Sequence, residues 1–79
     1  MQSIAVVCFD HQMFKDFCRS KGLNPTKAFA DNKYYFHATE RTIYGRSIHA
    51  MIKYGDWIND ENLKLMPHIM ARMASNGLP

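Results

Sequence analysis

Ser3-Ile4-Ala5-Val6-Val7-Cys8-Phe9-Asp10 is an almost unbroken run of small, β-branched and aromatic apolar residues that ends on an acid. A strand with one solvated face alternates apolar and polar side chains. Continuous apolarity over this length is what a central parallel strand needs when helices cover both of its faces. The run therefore predicts a first strand buried on both sides, and an α/β fold built around it.

Outward from that strand, Asp10 is placed to cap a helix, because its carboxylate accepts hydrogen bonds from amides that a first helical turn leaves unpaired. The helix is expected over His11–Lys21. Phe14, Phe17, Cys18 and Lys21 fall at i, i+3, i+4 and i+7, so two rings and a thiol share the face that meets the sheet. Gly22-Leu23 fits a left-handed cap with an apolar contact behind it, and Asn24-Pro25 prevents the helix from resuming. Residues 25–30 read as one helical turn with Asn24 as its cap, and Phe29 is expected to plug the core.

Lys33-Tyr34-Tyr35-Phe36-His37-Ala38 is rich in β-formers and predicts a second strand at the sheet edge, with Tyr35 and His37 on one face and Tyr34, Phe36 and Ala38 on the other. Thr39 caps a short turn, and Gly45 lets the chain reverse into a third strand over Ser47–Tyr54. Gly55-Asp56-Trp57 ends that strand. Asn59-Asp60-Glu61 supplies a cap and an acidic first turn for a last helix from about residue 60. Leu63, Met66, Met70 and Met73 keep helical spacing, as do Leu65 and Ile69. Pro67 lacks an amide hydrogen and predicts a kink or break at Met66-Pro67, while Asn76-Gly77 is a suitable C-terminal cap.

This order of elements predicts a single domain over residues 1–79, with a small three-stranded, mainly parallel sheet in the order 2-1-3 and helices packed on it. The alternative is an α+β fold with a hairpin across Tyr44-Gly45-Arg46 joining the second and third strands.

Composition narrows the class. With 79 residues, 47% of them hydrophobic and 13% aromatic, the chain has enough bulk for a packed core and is not a disordered segment. Such a domain buries only about 60–65% of its unfolded surface, so its stability margin is thin. The two cysteines read as small buried hydrophobes, and without a signal peptide they point to a reducing cytoplasm. No stretch approaches the ~20 apolar residues of a membrane span. The net charge of +3 comes from basic residues spread through the chain and not gathered in a run.

In an open α/β sheet, ligands bind beyond the carboxyl ends of the strands. That rim is expected to hold Asp10 and His11 after the first strand, Thr39, Glu40 and Arg41 after the second, and Asp56 and Trp57 after the third. Three carboxylates from three strand ends can hold a magnesium ion for phosphate chemistry. Asp10 and Asp56, however, stand where helix caps are expected, and Glu40 can pair with Arg41. Neither a G-x-G-x-x-G fingerprint nor a phosphate-loop lysine occurs, and Asp10 would repel a phosphate at the helix start. His11, His37, His49 and His68 show no tight metal-ligand spacing, and the cysteines lie ten positions apart, so no metal or cofactor is predicted. Cys8 reads as inert core and no serine sits in a nucleophile elbow, which together argue against an enzyme.

Two binding readings survive. A tryptophan beside an arginine is a pairing enriched among residues that dominate interface energy, so His11, Arg41, Asp56 and Trp57 form the expected protein-docking set. Alternatively Lys33, Arg41, Arg46 and Lys53, interleaved with Tyr34, Tyr35, Tyr44, Tyr54 and Trp57, form a nucleic-acid-binding set if they share a surface. The six methionines, three of them in the last helix, fit core packing or contact with a second copy of this chain.

With the first strand, the Tyr34–His37 strand, Ile43-Tyr44-Gly45 and the Tyr54-Gly55-Asp56-Trp57 ending in view, the chain resembles very small bacteriophage-encoded α/β proteins whose truncated nucleotide-binding-like sheet has lost its phosphate loop. The resemblance implies a cytoplasmic accessory protein of an infected host that binds and inhibits host or defence machinery. It transfers no catalytic residue. The leading expectation is thus a non-enzymatic module for a host protein; a small nucleic-acid-binding protein is second, and a metal-dependent phosphate-processing enzyme third.

Overall fold

The computed structural model describes residues 2–77. Its elements are β1 (Gln2–Val7), α1 (His11–Ser20), β2 (Phe29–Ala30), β3 (Lys33–His37), α2 (Glu40–Ile43), β4 (Ala50–Lys53) and α3 (Asp60–Gly77). They form an α/β fold on one four-stranded sheet in the order β2-β3-β1-β4. β1 lies in the interior, parallel to β3 on one side (Ile4 opposite Tyr35) and to β4 on the other (Val6 opposite Ile52).

The apolar run of β1 is explained by its two faces. Val6 and Cys8 pack with Phe14, Phe17 and Cys18 of α1, while Ala5 and Val7 pack with Ile43 of α2 and Leu65 and Ile69 of α3. Each successive side chain meets a different helical layer, and each buried valine contributes roughly 1.5–3 kcal/mol. Asp10 caps α1, its Oδ1 accepting from the Met13 amide at 2.9 Å. At the other end of α1 the Leu23 amide donates to the Cys18 carbonyl and the Gly22 amide to that of Arg19, with Gly22 at φ +71°, which is a Schellman cap. Thr39 and Thr42 close a reciprocal capping box on α2.

The sheet departs from the sequence reading by one strand. Residues 25–30 make no helical turn: the Asn24 side chain instead accepts from the amide and hydroxyl of Thr26, and the chain continues into β2, antiparallel to β3. Asp31 and Asn32 join the two strands with φ of 53° and 63°, the two-residue left-handed turn that matches strand twist. The second predicted strand, β3, is therefore interior, and the sheet is mixed rather than three-stranded and parallel. Phe29 is half exposed on the short edge strand, and Ala28 fills the core position in its place. The hairpin alternative fails, because β3 and β4 are both parallel to β1 and separated by it.

Three smaller corrections follow. β1 ends at Val7, so Phe9 leaves the core and is 56% exposed. β4 is shorter than the predicted third strand, although Ile48 before it is fully buried. α3 passes through Pro67 without a break. Pro67 shares an exposed face with Leu63 and Met70, so the Leu63 carbonyl that loses its helical partner faces water. The core stripe of α3 is Asn62, Leu65 and Ile69, with Met66 and Met73 beside it. The residues that would complete the expected Asn76-Gly77 cap lie outside the described ones. Among the described residues, no helix is long and apolar enough to cross a membrane.

Candidate binding crevice at the carboxyl end of the sheet

β1 and β4 are neighbours whose following helices depart to opposite faces: α1 packs against the Val6 face and α3 against the Val7 face. Loops that diverge in this way leave a crevice beyond the strand ends. Here it has a volume of about 440 Å³ and is lined by Phe9, Met13, Gly55, Asp56, Trp57 and Ile58.

Local chemistry fixes each wall. After Cys8 the chain turns to let Asp10 cap α1, and this pushes Phe9 outward. After β4, Gly55 makes a bend at φ +60°, a conformation that favours glycine, and a Cβ there would stand 2.9 Å from the Met13 sulfur, so the end of that side chain would have to move. Asn59 then caps α3, its Oδ1 accepting from the Asn62 amide at 2.8 Å, while its Nδ2 donates to the Phe9 carbonyl at 3.2 Å. Asn62 is the buried polar side chain of the described core, and its Nδ2 donates to the carbonyls of Cys8 and Trp57, each at 2.7 Å. These bonds tie the end of β1, the β4–α3 loop and α3 into one frame. On it stand Trp57, half-buried with the Lys53 ammonium 4.8 Å from its ring centre, and Ile58, 63% exposed.

Of the expected docking set, Asp56 and Trp57 line this crevice. His11 and Arg41 lie on the β3 side of the same rim, both exposed, where His11 faces His37 with their Nδ1 atoms 3.4 Å apart. The rim thus holds all four residues but divides them between the two sides of β1. Phe9, Met13, Ile58 and Asn62 were not legible as site residues. Phe9 reads as the last residue of a buried strand, and Asn62 shows itself only as a polar residue on an otherwise apolar helical stripe.

The nucleic-acid set is dispersed. Lys33 sits at the amino end of β3 and Lys53 at the carboxyl end of β4, on opposite rims of a parallel arrangement. Arg46 is half-buried, with its guanidinium 4.8 Å from the Phe36 ring and 5.4 Å from that of Tyr34, and its Nε donates to the Thr42 carbonyl. It packs the fold together instead of presenting a free cation.

The strand-end carboxylates do not converge: among the described residues, no group of three His, Cys, Asp or Glu side chains is placed to hold a metal ion. Burial, then the charge of Asp10 and the nearby Cys18, push the Cys8 thiol up to about 11, and burial also raises Cys18. Both thiols stay protonated at neutral pH. Because an unfolded thiol ionises near 9 and Cys8 near 11, Cys8 leaves stability unchanged below about pH 9 and lowers it between about pH 9 and 11, where only the unfolded chain releases the proton. Iodoacetamide at pH 8 is accordingly expected to leave both thiols unmodified in the native protein and to label both in urea. Rapid labelling of native Cys8 would contradict its burial.

His37 is held below the ordinary histidine range, chiefly by burial and then by His11, against the opposing charges of Glu61 and Asp10. Compared with known protein families, with curated proteins and with solved structures, the chain matches none.

Proposed function

We propose that this chain is a non-enzymatic interaction module, encoded by a bacteriophage, that modulates a host protein by docking on it through the carboxyl-end crevice. The observation that carries this reading is the open apolar lining: Phe9 and Ile58 are 56% and 63% exposed beside a half-buried tryptophan, on a frame fixed by buried hydrogen bonds. Large apolar side chains held together in water at a rigid rim are the usual mark of an interaction site. A concavity of this size takes one or two apolar side chains of a partner. The net charge of +3 favours a partner whose surrounding surface is acidic. The phage origin rests on the resemblance in element order and short motifs. The scattered basic residues give no comparable support to nucleic-acid binding.

The test is affinity capture from bacterial lysate with and without nuclease, repeated with Ile58→Asp and Phe9→Asp. Both positions are exposed, so each variant is expected to change stability by no more than about 0.5 kcal/mol. The expected result is a protein retained after nuclease treatment and lost with either variant. Capture that vanishes with nuclease, or survives both substitutions, overturns the proposal.

A further inference from the structure

On the other side of β1 the rim carries a second constellation that the docking crevice does not use. His11 opens α1 and His37 closes β3, and the two rings approach with centroids 5.5 Å apart and planes inclined at 37°. Their Nδ1 atoms face each other at 3.4 Å. That separation is long for an N–H···N hydrogen bond, which is expected near 3 Å. It equals the span of two nitrogens on one tetrahedral metal ion, about 3.3–3.4 Å for bonds of 2.0–2.1 Å.

Two further observations suit a metal ion here. Phe14 stacks on both rings, with centroids 5.7 Å from His11 and 5.8 Å from His37, and so holds them in orientation. The pair also borders a cavity of about 290 Å³ that Thr39 and Thr42 help to line, which leaves room for water or an outside donor at the remaining coordination positions. The other histidines are placed differently: the Nδ1 of His49 accepts from the Ser3 amide, and His68 is exposed on α3.

We infer that His11 and His37 form a two-histidine site for a divalent transition-metal ion of the zinc class, bound through both Nδ1 atoms with its open positions toward the cavity. Imidazole is the ligand such borderline ions prefer, and two protein ligands leave a site that exchanges metal and accepts a further donor. The site is independent of the docking crevice.

Titration of the full chain with Zn²⁺, followed by the imidazole resonances and by calorimetry, tests this. The expected result is one equivalent bound, with His11 and His37 shifted and His49 and His68 unmoved. His11→Ala is expected to weaken binding by about tenfold or more, since loss of even a supporting partner of a ligand costs 10–100-fold. His11 is exposed, so that variant keeps the fold, and His37→Gln gives a second reading on the same pair. Zn²⁺ that leaves the two rings unshifted, binds His11→Ala as tightly as the parent, or is lost equally with His68→Ala overturns the assignment.

Discussion

Asn62→Asp is expected to destabilise the protein by about 3–5 kcal/mol, although it exchanges one atom for another of nearly the same size. The Asn62 amide donates both hydrogens, to the carbonyls of Cys8 and Trp57 at 2.7 Å, in a position only 4% exposed. A carboxylate there would face two carbonyl oxygens with no donor between them. Protonation relieves only half of the conflict, because a carboxylic acid has one hydrogen to give. Burial would raise the new carboxyl group above its unfolded value, so the penalty grows as pH rises from about 4 to 7. Asn62→Ala removes the same two bonds without adding charge and is expected to cost about 2–4 kcal/mol. Urea denaturation measures both. A loss below about 1 kcal/mol for Asn62→Asp at pH 7 would mean that the three segments are not held through this side chain.

The second large effect belongs to the α1 layer. Phe17 is 2% exposed and its ring lies 5.2 Å from Tyr54, edge-on, and 5.7 Å from Tyr35, with Phe14 beyond at 6.5 Å. It touches side chains from β3 and from the end of β4, so it clamps α1 across the width of the sheet. Phe17→Ala leaves a cavity among rings that cannot collapse into it and is expected to cost about 3–5 kcal/mol. For a chain of this size the whole stability is on the order of 4–12 kcal/mol, so much of the variant population would be unfolded at 37 °C. Denaturation showing less than about 1 kcal/mol would remove Phe17 from the core.

These two residues mark what the sequence does and does not disclose. Phe17 was legible because helical periodicity and the apolar first strand dictate where its face must go. The same logic placed β1 between two parallel neighbours and put Tyr35 and His37 opposite Tyr34 and Phe36. Asn62 was not legible, because its role depends on two carbonyls left open where β1 and the β4–α3 loop end, and no local pattern encodes that meeting. β2 was missed for a related reason. Asp31-Asn32 adopts a glycine-like hairpin turn without a glycine, so its signal is weak, and a two-residue strand has no periodicity to read. Phe9 shows the limit of the run itself: apolarity predicts burial, but the cap at Asp10 turns the chain one residue too soon for Phe9 to be covered. The rim residues Asp56 and Trp57 were found because fold class fixes where loops diverge. His11 and Arg41 were found on the same ground, yet their separation from the crevice required the sheet order.

The crevice is tested most directly by placing a photo-crosslinking residue at Ile58 and, in a second protein, at Lys33 on the opposite rim, and irradiating each in bacterial lysate. Docking through the crevice predicts a nuclease-resistant adduct to a single polypeptide from position 58 and none from position 33. Adducts to nucleic acid, or a polypeptide adduct from position 33 alone, would contradict it.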